Sequence, residues 1–305
     1  VEYLNMTETS RNVCSETVIQ EPVTQIVVVG TGTGATNPNA PAIGDGVMYE
    51  DACYYDGGSV IPRLADGRTL GYLFEISNPN GEDIVIDDPQ LWWPAGYGEQ
   101  PLYTVKAEVP GSCWERRIGL RTLTVSREKD QWGEEFCHVV NGVKIFAMGA
   151  DYIPEDNILA RITPDRTRWL LKQCKDCNFN AIRVWGGGFY PHDYFFDICD
   201  ELGLVVFEDM MFACTLIWLD DAFKETITAE FRDNLKRMRH HACLALISGN
   251  NEIEACFGPD NPVRTEELVK MYLEVFEDIL PQIMEEVCPY IPYIPSSPTT
   301  CGHFI

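Results

Sequence analysis

Positive charge is what this sequence has least of. Its 305 residues carry 23 Lys plus Arg against 47 Asp plus Glu, a formal net charge of −24 at pH 7. A surface that acidic repels phosphate backbones and no cluster of Lys or Arg offsets it, so nucleic acid is not an expected partner. Long apolar runs are missing too. No segment reaches the roughly 18 continuous apolar residues of a membrane span, so no membrane partner is expected. The chain opens at Val1 without an initiator Met or a basic-then-apolar leader, and both ends read as cut. Metal-ligand spacing is absent as well. Cys174 and Cys177 form one CxxC inside a helical pattern with no second pair, and His240-His241 follows a helix, where capping the last turn is the simpler use. No structural metal is therefore expected. A strand-like run before Gly30, Gly32 and Gly34 suggests a nucleotide loop only superficially. The spacing is not GxGxxG, and prolines follow where a helix should open.

What is present is enough apolar residues, 45% of the chain, for one large core or two moderate domains. The twelve cysteines are scattered, and Cys177, Cys199 and Cys243 fall inside apolar or helical patterns. Free thiols are expected over a disulfide framework, which leans toward a reducing, intracellular compartment. Asn5-Met6-Thr7 would be a glycosylation site only in a secreted parent.

Residues 1–126 have the texture of a β domain. TQIVVV (24–29), DIVID (83–87), LYTVKAEV (102–109) and RTLTVS (121–126) are short and rich in β-branched residues, with turn-rich segments at 30–46 and 78–83. A series of half-apolar strands packs naturally as a sheet sandwich.

From 127 to 305 the period changes. FAMGADY (146–152), NAIRVW (180–185), LVVFED (204–209) and CLALIS (243–248) read as strands apolar on both faces. Helical patterns stand between and after them. One begins at Pro164 behind Thr163 as N-cap, one runs over 192–203 and closes on Gly203, and one over 221–240 lines up Phe223, Ile227, Phe231, Leu235 and Met238. The last, over 262–286, is expected to break at Pro281. Four strand-and-helix alternations predict a parallel sheet covered by helices.

Each of those strands ends in polar chemistry. Asp151 follows the first, Arg183 and Trp185 with Gly186, Gly187 and Gly188 the second, Glu208 and Asp209 the third, and Asn250, Asn251 and Glu252 the fourth. In a (β/α) barrel such ends meet around one mouth, so residues spread over a hundred positions would share a cleft. Plainer uses stand beside this one. Glu252 could open a helix, Arg183 could knit neighbouring strands through a salt bridge, Trp185 could pack the rim, Asp209 could orient Arg183, and Ser248 could support the turn. Glu208 would face the outside of the barrel.

These residues carry a resemblance. ISGNNEIE, NAIRVWGGGFY, FFDICDELGLVVFEDMMFAC, GADYIPEDNILAR, DPQLWWPAGYGEQPLY and RRIGLRTLTV together resemble glycoside hydrolase family 2, nearest its β-mannosidase branch, over about residues 85–300. The resemblance implies an immunoglobulin-like β-sandwich (1–126) followed by the N-terminal part of a catalytic (β/α)8 TIM barrel (127–305). It implies a retaining exo-hydrolase that removes terminal β-D-mannose from a β-mannoside or manno-oligosaccharide and needs no metal or organic cofactor. Glu252 matches the family's general acid/base and Asn251 its amide to the sugar 2-hydroxyl; Arg183 matches the arginine that supports the nucleophilic carboxylate. Trp185, Asp151 and Asp209 would contact the sugar, and Asn250 with Gly186, Gly187 and Gly188 would support turns. The chain departs from the family pattern at Ile247, where a Trp is usual, at Phe207-Glu208, where Trp-Gln is usual, and at Pro191, where Glu is usual. The family's nucleophile, a glutamate on a later strand, has no counterpart here. A downstream segment or a second chain is expected to complete the barrel, and this segment alone is expected to be inactive. The alternative is an inactive carbohydrate-binding or scaffold remnant of the same fold.

Overall fold

The computed structural model describes residues 89–109 and 112–299, with the backbone of four short strands among residues 2–29. The expected strand at 83–87, the glycine-rich segment at 30–46, and Asn5 with Met6 lie outside the described residues. The chain divides into two compact units, Val1–Pro89 with Tyr103–Ile118, and Gln90–Leu102 with Gly119–Ile305.

In the first unit β1 (Glu2–Leu4) pairs antiparallel with β2 (Thr7–Ser10). A separate four-stranded sheet runs in the order β3 (Thr17–Gln20), β4 (Gln25–Val29), β5 (Tyr103–Val109) and β6 (Ser112–Ile118), parallel only between β4 and β5. The described residues of this unit show these two sheets and not a complete immunoglobulin-like sandwich.

The second unit opens with an antiparallel meander of β7 (Leu123–Ser126), β8 (Cys137–Val140) and β9 (Val143–Ile145). Asn141 and Gly142 join the last two with φ of 49° and 79°. Both central residues are in the left-handed region, as the tightest hairpin turn requires, and Asn-Gly is the pair that tolerates it best. The sequence reading passed over this hairpin.

Five parallel strands follow, β10 (Gly149–Tyr152), β11 (Ala181–Val184), β12 (Val205–Asp209), β13 (Leu244–Ser248) and β14 (Tyr293–Ile294), adjacent in sequence order. A doubly wound sheet reverses its order at a switch point; one that never reverses makes an arc of a barrel. β14 is one strand more than the sequence predicts, because the prolines of YIPYIP disguise it. β13 is buried at every position, as expected of a strand covered on both faces. β10 departs from that expectation: it lies at the edge of the sheet, and only Tyr152 of its four residues is buried.

Helices α1 (Pro164–Asp176), α2 (Asp193–Leu202) and α3 (Asp221–Met238) connect successive strands. Thr163 caps α1 by accepting from the Arg166 N–H, and Asp220 caps α3 by accepting from the Phe223 N–H at 2.8 Å. Gly203 ends α2 in the left-handed conformation. Ile227, Phe231, Leu235 and Met238 bury one face of α3, whereas Phe223, expected with them, sits at the rim and is 36% exposed.

After β13 come a single turn, α4 (Ile253–Cys256), then α5 (Glu266–Leu273) and α6 (Leu280–Val287). Pro281 does not break the last helical run as predicted. A π-helical stretch at Glu274–Ile279 precedes it, so Pro281 enters as one of the first residues of α6, where its missing N–H costs least.

A buried polar knot fixes the packing of this unit. The Trp92 indole N–H donates to the Asp200 carbonyl at 2.8 Å, and Arg121 donates to the carbonyls of Ala242 and Leu244 at 2.9 and 2.7 Å. Asp200 accepts from the Cys243 N–H at 2.7 Å, and its other oxygen lies 2.7 Å from His241 Nδ1. His241 is therefore a core partner of Asp200 and not the helix cap predicted for it. The eight cysteines whose side chains are described are all free thiols.

Candidate active site

Register builds the site. Asp151 of β10, Arg183 of β11 and Phe207 of β12 sit side by side on one rung of the sheet. Side chains alternate along a strand, so Asp209, two residues beyond Phe207, points to the same face, and Glu208 points to the other. Arg183 Nη2 donates to Asp209 Oδ2 at 2.7 Å while Nε faces Oδ1 at 3.4 Å, a fork on both carboxylate oxygens. The same Nη2 donates to Asn251 Oδ1 at 2.8 Å, and Nη1 lies 3.6 Å from the exposed Asp151. The guanidinium stands 5.3 Å over the Phe207 ring. One arginine thus ties together three successive strands and the turn after a fourth.

Asp209 is fully buried. Burial pushes its pKa up to about 6, and Arg183 with the Gly186 N–H, which donates at 3.1 Å, offsets only part of that.

The turn after β13 is held by Asn250. Its side chain donates to the Pro295 carbonyl at 2.7 Å and accepts from the Ile253 N–H at 3.1 Å and from Ser296 Oγ at 2.8 Å. Ser248 Oγ donates to the Asn250 carbonyl at 3.0 Å. Asn251 N–H donates to the Phe212 carbonyl at 2.8 Å and Glu252 N–H to the Ser297 carbonyl at 3.0 Å. Between those anchors Glu252 is held at φ 61°, in the left-handed region a non-glycine residue rarely adopts, with its side chain exposed. Because Arg183 occupies the Asn251 amide oxygen, the amide N–H2 points to the other side, where Cys214 Sγ accepts it at 3.4 Å.

The glycines are where the backbone crowds. A Cβ at Gly186 would lie 2.7 Å from the carbonyl oxygens of both Met210 and Phe212, and one at Gly187 would enter the Trp185 ring. Gly188 faces Pro154 more loosely. Trp185 is half-buried beside them. Asp151, Arg183, Asp209 and Asn251 are thereby joined in one network, with Glu252 next in the chain; Trp185 has no hydrogen bond into it.

One residue beside Glu252 carries no local signal in the sequence. The Cys214 thiol lies 3.3 Å from Glu252 Oε2, and Cys214 is itself at φ 55°. Partial desolvation, then the neighbouring Glu252, raise the thiol pKa. Glu208, expected on the outer side of the sheet, does point away from the Arg183 face. It is fully buried with no hydrogen-bond partner on either oxygen, and burial together with the Asp209 charge holds its carboxyl well above the ordinary range, Arg237 opposing.

Comparison with known proteins places these elements in a lineage. Residues 59–121 match the family model described as glycosyl hydrolases family 2. The chain is 36% identical to beta-mannosidase B of Aspergillus niger over 227 residues, 70% of this chain and 27% of the relative. It is 35% identical to the beta-mannosidase of Capra hircus over 221 residues, 69% of this chain and 25% of the relative. Among solved structures, the beta-D-mannosidase from Dictyoglomus thermophilum aligns with a TM-score of 0.66 at 36% identity, over 70% of this chain and 27% of that one. The chain therefore spans about a quarter of the length of the curated relatives it matches.

Proposed function

We infer that this chain, which belongs to the glycosyl hydrolases of family 2, supplies the acid/base wall of a retaining exo-β-mannosidase active site. The observation that carries the reading is the pairing of Asn251 and Glu252 at one strand end, with Asn251 locked to Arg183 and Glu252 left exposed. A retaining hydrolase needs two carboxyl groups about 5–5.5 Å apart, one to form the glycosyl-enzyme and one to move protons. Glu252 takes the second part. It protonates the departing sugar oxygen, then as carboxylate takes the proton of the incoming water. Asn251, its oxygen committed to Arg183, offers its N–H2 to the oxygen of the sugar 2-hydroxyl. Arg183 Nη1, 3.6 Å from the exposed Asp151, is the donor that holds the nucleophile ionised. That nucleophile is supplied by a further segment of the parent protein or by a second chain. Asp151, exposed at the rim, contacts a sugar hydroxyl; Asp209, expected as a sugar contact, is buried under the Arg183 fork and holds Arg183 instead; Trp185 lies against the ring face.

The test is Glu252→Gln in the full-length parent protein. Hydrolysis of β-mannosides with basic leaving groups should fall by the roughly 10²–10⁴-fold typical of lost proton transfer, and activated aryl mannosides should suffer less. Azide, which needs no deprotonation, should restore turnover and yield a β-mannosyl azide. Near-normal hydrolysis of natural β-mannosides by the variant, or no azide product, would remove Glu252 from this role. A faster rate on β-galactoside, β-glucoside or β-glucuronide than on β-mannoside would refute the sugar assignment.

A further inference from the structure

We propose that Cys214, Glu252 and Cys256 form a binding site for a thiophilic divalent cation, zinc or cadmium, whose occupancy blocks the Glu252 carboxyl. Three potential ligand atoms, two sulfurs and a carboxylate oxygen, all lie within 4.8 Å of one another at the surface. Two come from the loop after β12 and the turn after β13, and the third from α4, one helical turn beyond Glu252.

The spacing suits the chemistry. Tetrahedral zinc with Zn–S of about 2.3 Å and Zn–O of about 2.0 Å sets its sulfur and oxygen ligands ~3.5 Å apart, and two sulfurs ~3.8 Å apart. Cys214 Sγ and Glu252 Oε2 already stand 3.3 Å apart. No pair is more than 4.8 Å apart, so closing to that edge length takes a small side-chain rotation, which exposed residues make freely. The backbone presents the ligands without adjustment, because Cys214 and Glu252 are fixed at φ of 55° and 61°, and the Cys214 N–H donates to the Asn251 carbonyl at 2.9 Å. Two thiolates and a carboxylate favour zinc or cadmium over magnesium or calcium, and three protein ligands leave one position for water. Each thiol releases its proton to solvent as the cation binds, and no oxidation is involved.

The consequence for activity rests on the reading of Glu252 as acid/base; the site itself rests only on geometry. A carboxylate oxygen bonded to a cation can neither carry the proton to the leaving group nor take one from water.

Cadmium chloride titrated into the reduced full-length protein tests both parts. The thiolate-to-cadmium charge-transfer absorbance should saturate at one equivalent, zinc should displace it, and about two protons should be released per cation. Cys256→Ser should weaken cadmium binding at least ~10-fold while Cys174→Ser leaves it unchanged. Cys256→Ser should also retain β-mannosidase activity and escape cadmium inhibition, whereas the wild type is inhibited along the same curve as the absorbance. No band, or a band that survives Cys256→Ser and Cys214→Ser, overturns the site. Equal cadmium inhibition of wild type and Cys256→Ser overturns the block. If the band titrates as expected but the protein hydrolyses no β-mannoside, the site stands and the functional reading falls.

Discussion

Replacing Glu208 with Gln should stabilise the protein at neutral pH, increasingly so as pH rises. Glu208 lies on the helix-facing side of β12, fully buried, with neither oxygen hydrogen-bonded, and its titratable neighbours are Asp209, Tyr190, Cys199 and Arg237. Its folded pKa is raised, so its contribution to stability is complete below the unfolded value of 4.5 and declines as pH rises toward the folded value. Within that window folding takes up one proton, and stability falls by about 1.36 kcal/mol per pH unit. By pH 7 the accumulated loss is at most 1.36 × (7 − 4.5), about 3.4 kcal/mol. Glutamine has the same shape and no proton to take up. Its amide still lacks partners, much as the neutral carboxyl does, so a net gain of about 1–3 kcal/mol is expected at pH 7. Asp209, raised to about 6, acts in the same direction in both proteins, so it is the difference between wild type and variant that reports Glu208. Urea unfolding of wild type and variant at three or more pH values provides the assay, with the midpoint compared at constant slope. A difference that does not change with pH, or a less stable variant throughout, would mean that Glu208 is ionised and paired in the fold.

Arg183→Met should cost about 3–5 kcal/mol, because it leaves the Asp209 carboxylate buried without its counter-charge; denaturant unfolding would show it, and a loss under 1 kcal/mol would mean that the fork contributes little. Arg183→Lys should keep part of that stability yet lose activity, since an ammonium cannot span both Asp209 oxygens and Asn251 at once; wild-type kcat/KM in the lysine variant would refute the role of the fork. Gly186→Ala should destabilise by about 1–3 kcal/mol through overlap with the Met210 and Phe212 carbonyls, and an unchanged Tm would show that the loop yields without cost.

The local pattern of the chain determined much of this. Thr163, Asp220 and Gly203 mark helix ends through chemistry that acts within four residues, and the doubly buried Leu244–Ser248 announces a parallel strand by composition alone. The run Asn250-Asn251-Glu252 stands out because polar residues end so apolar a segment, but the pattern alone left helix capping open and the proposed roles come from the family resemblance. Where local signals competed, the sequence reading failed. Prolines hid Tyr293–Ile294, which is a strand because Ile247 and Ser248 pair with it. Pro281 was given its usual breaking effect, and only packing of α6 shows a π-helical stretch absorbing it. His241 looked like a cap until Asp200, 41 positions away, came within 2.7 Å.

Tertiary structure alone decided partnership. That Arg183 holds both Asp209 and Asn251, that Asn251 therefore turns its amide N–H2 toward Cys214, and that two thiols flank Glu252 follow from the register of parallel strands whose members lie tens of residues apart. Strand pairing converts separation in sequence into contact in space, and a hydrogen bond or shared ligand sphere exists only at ångström distances. Residue types and spacing can name the side chains that reach a mouth; which of them are already engaged with one another, and which remain for a substrate or a cation, is a property of the folded sheet.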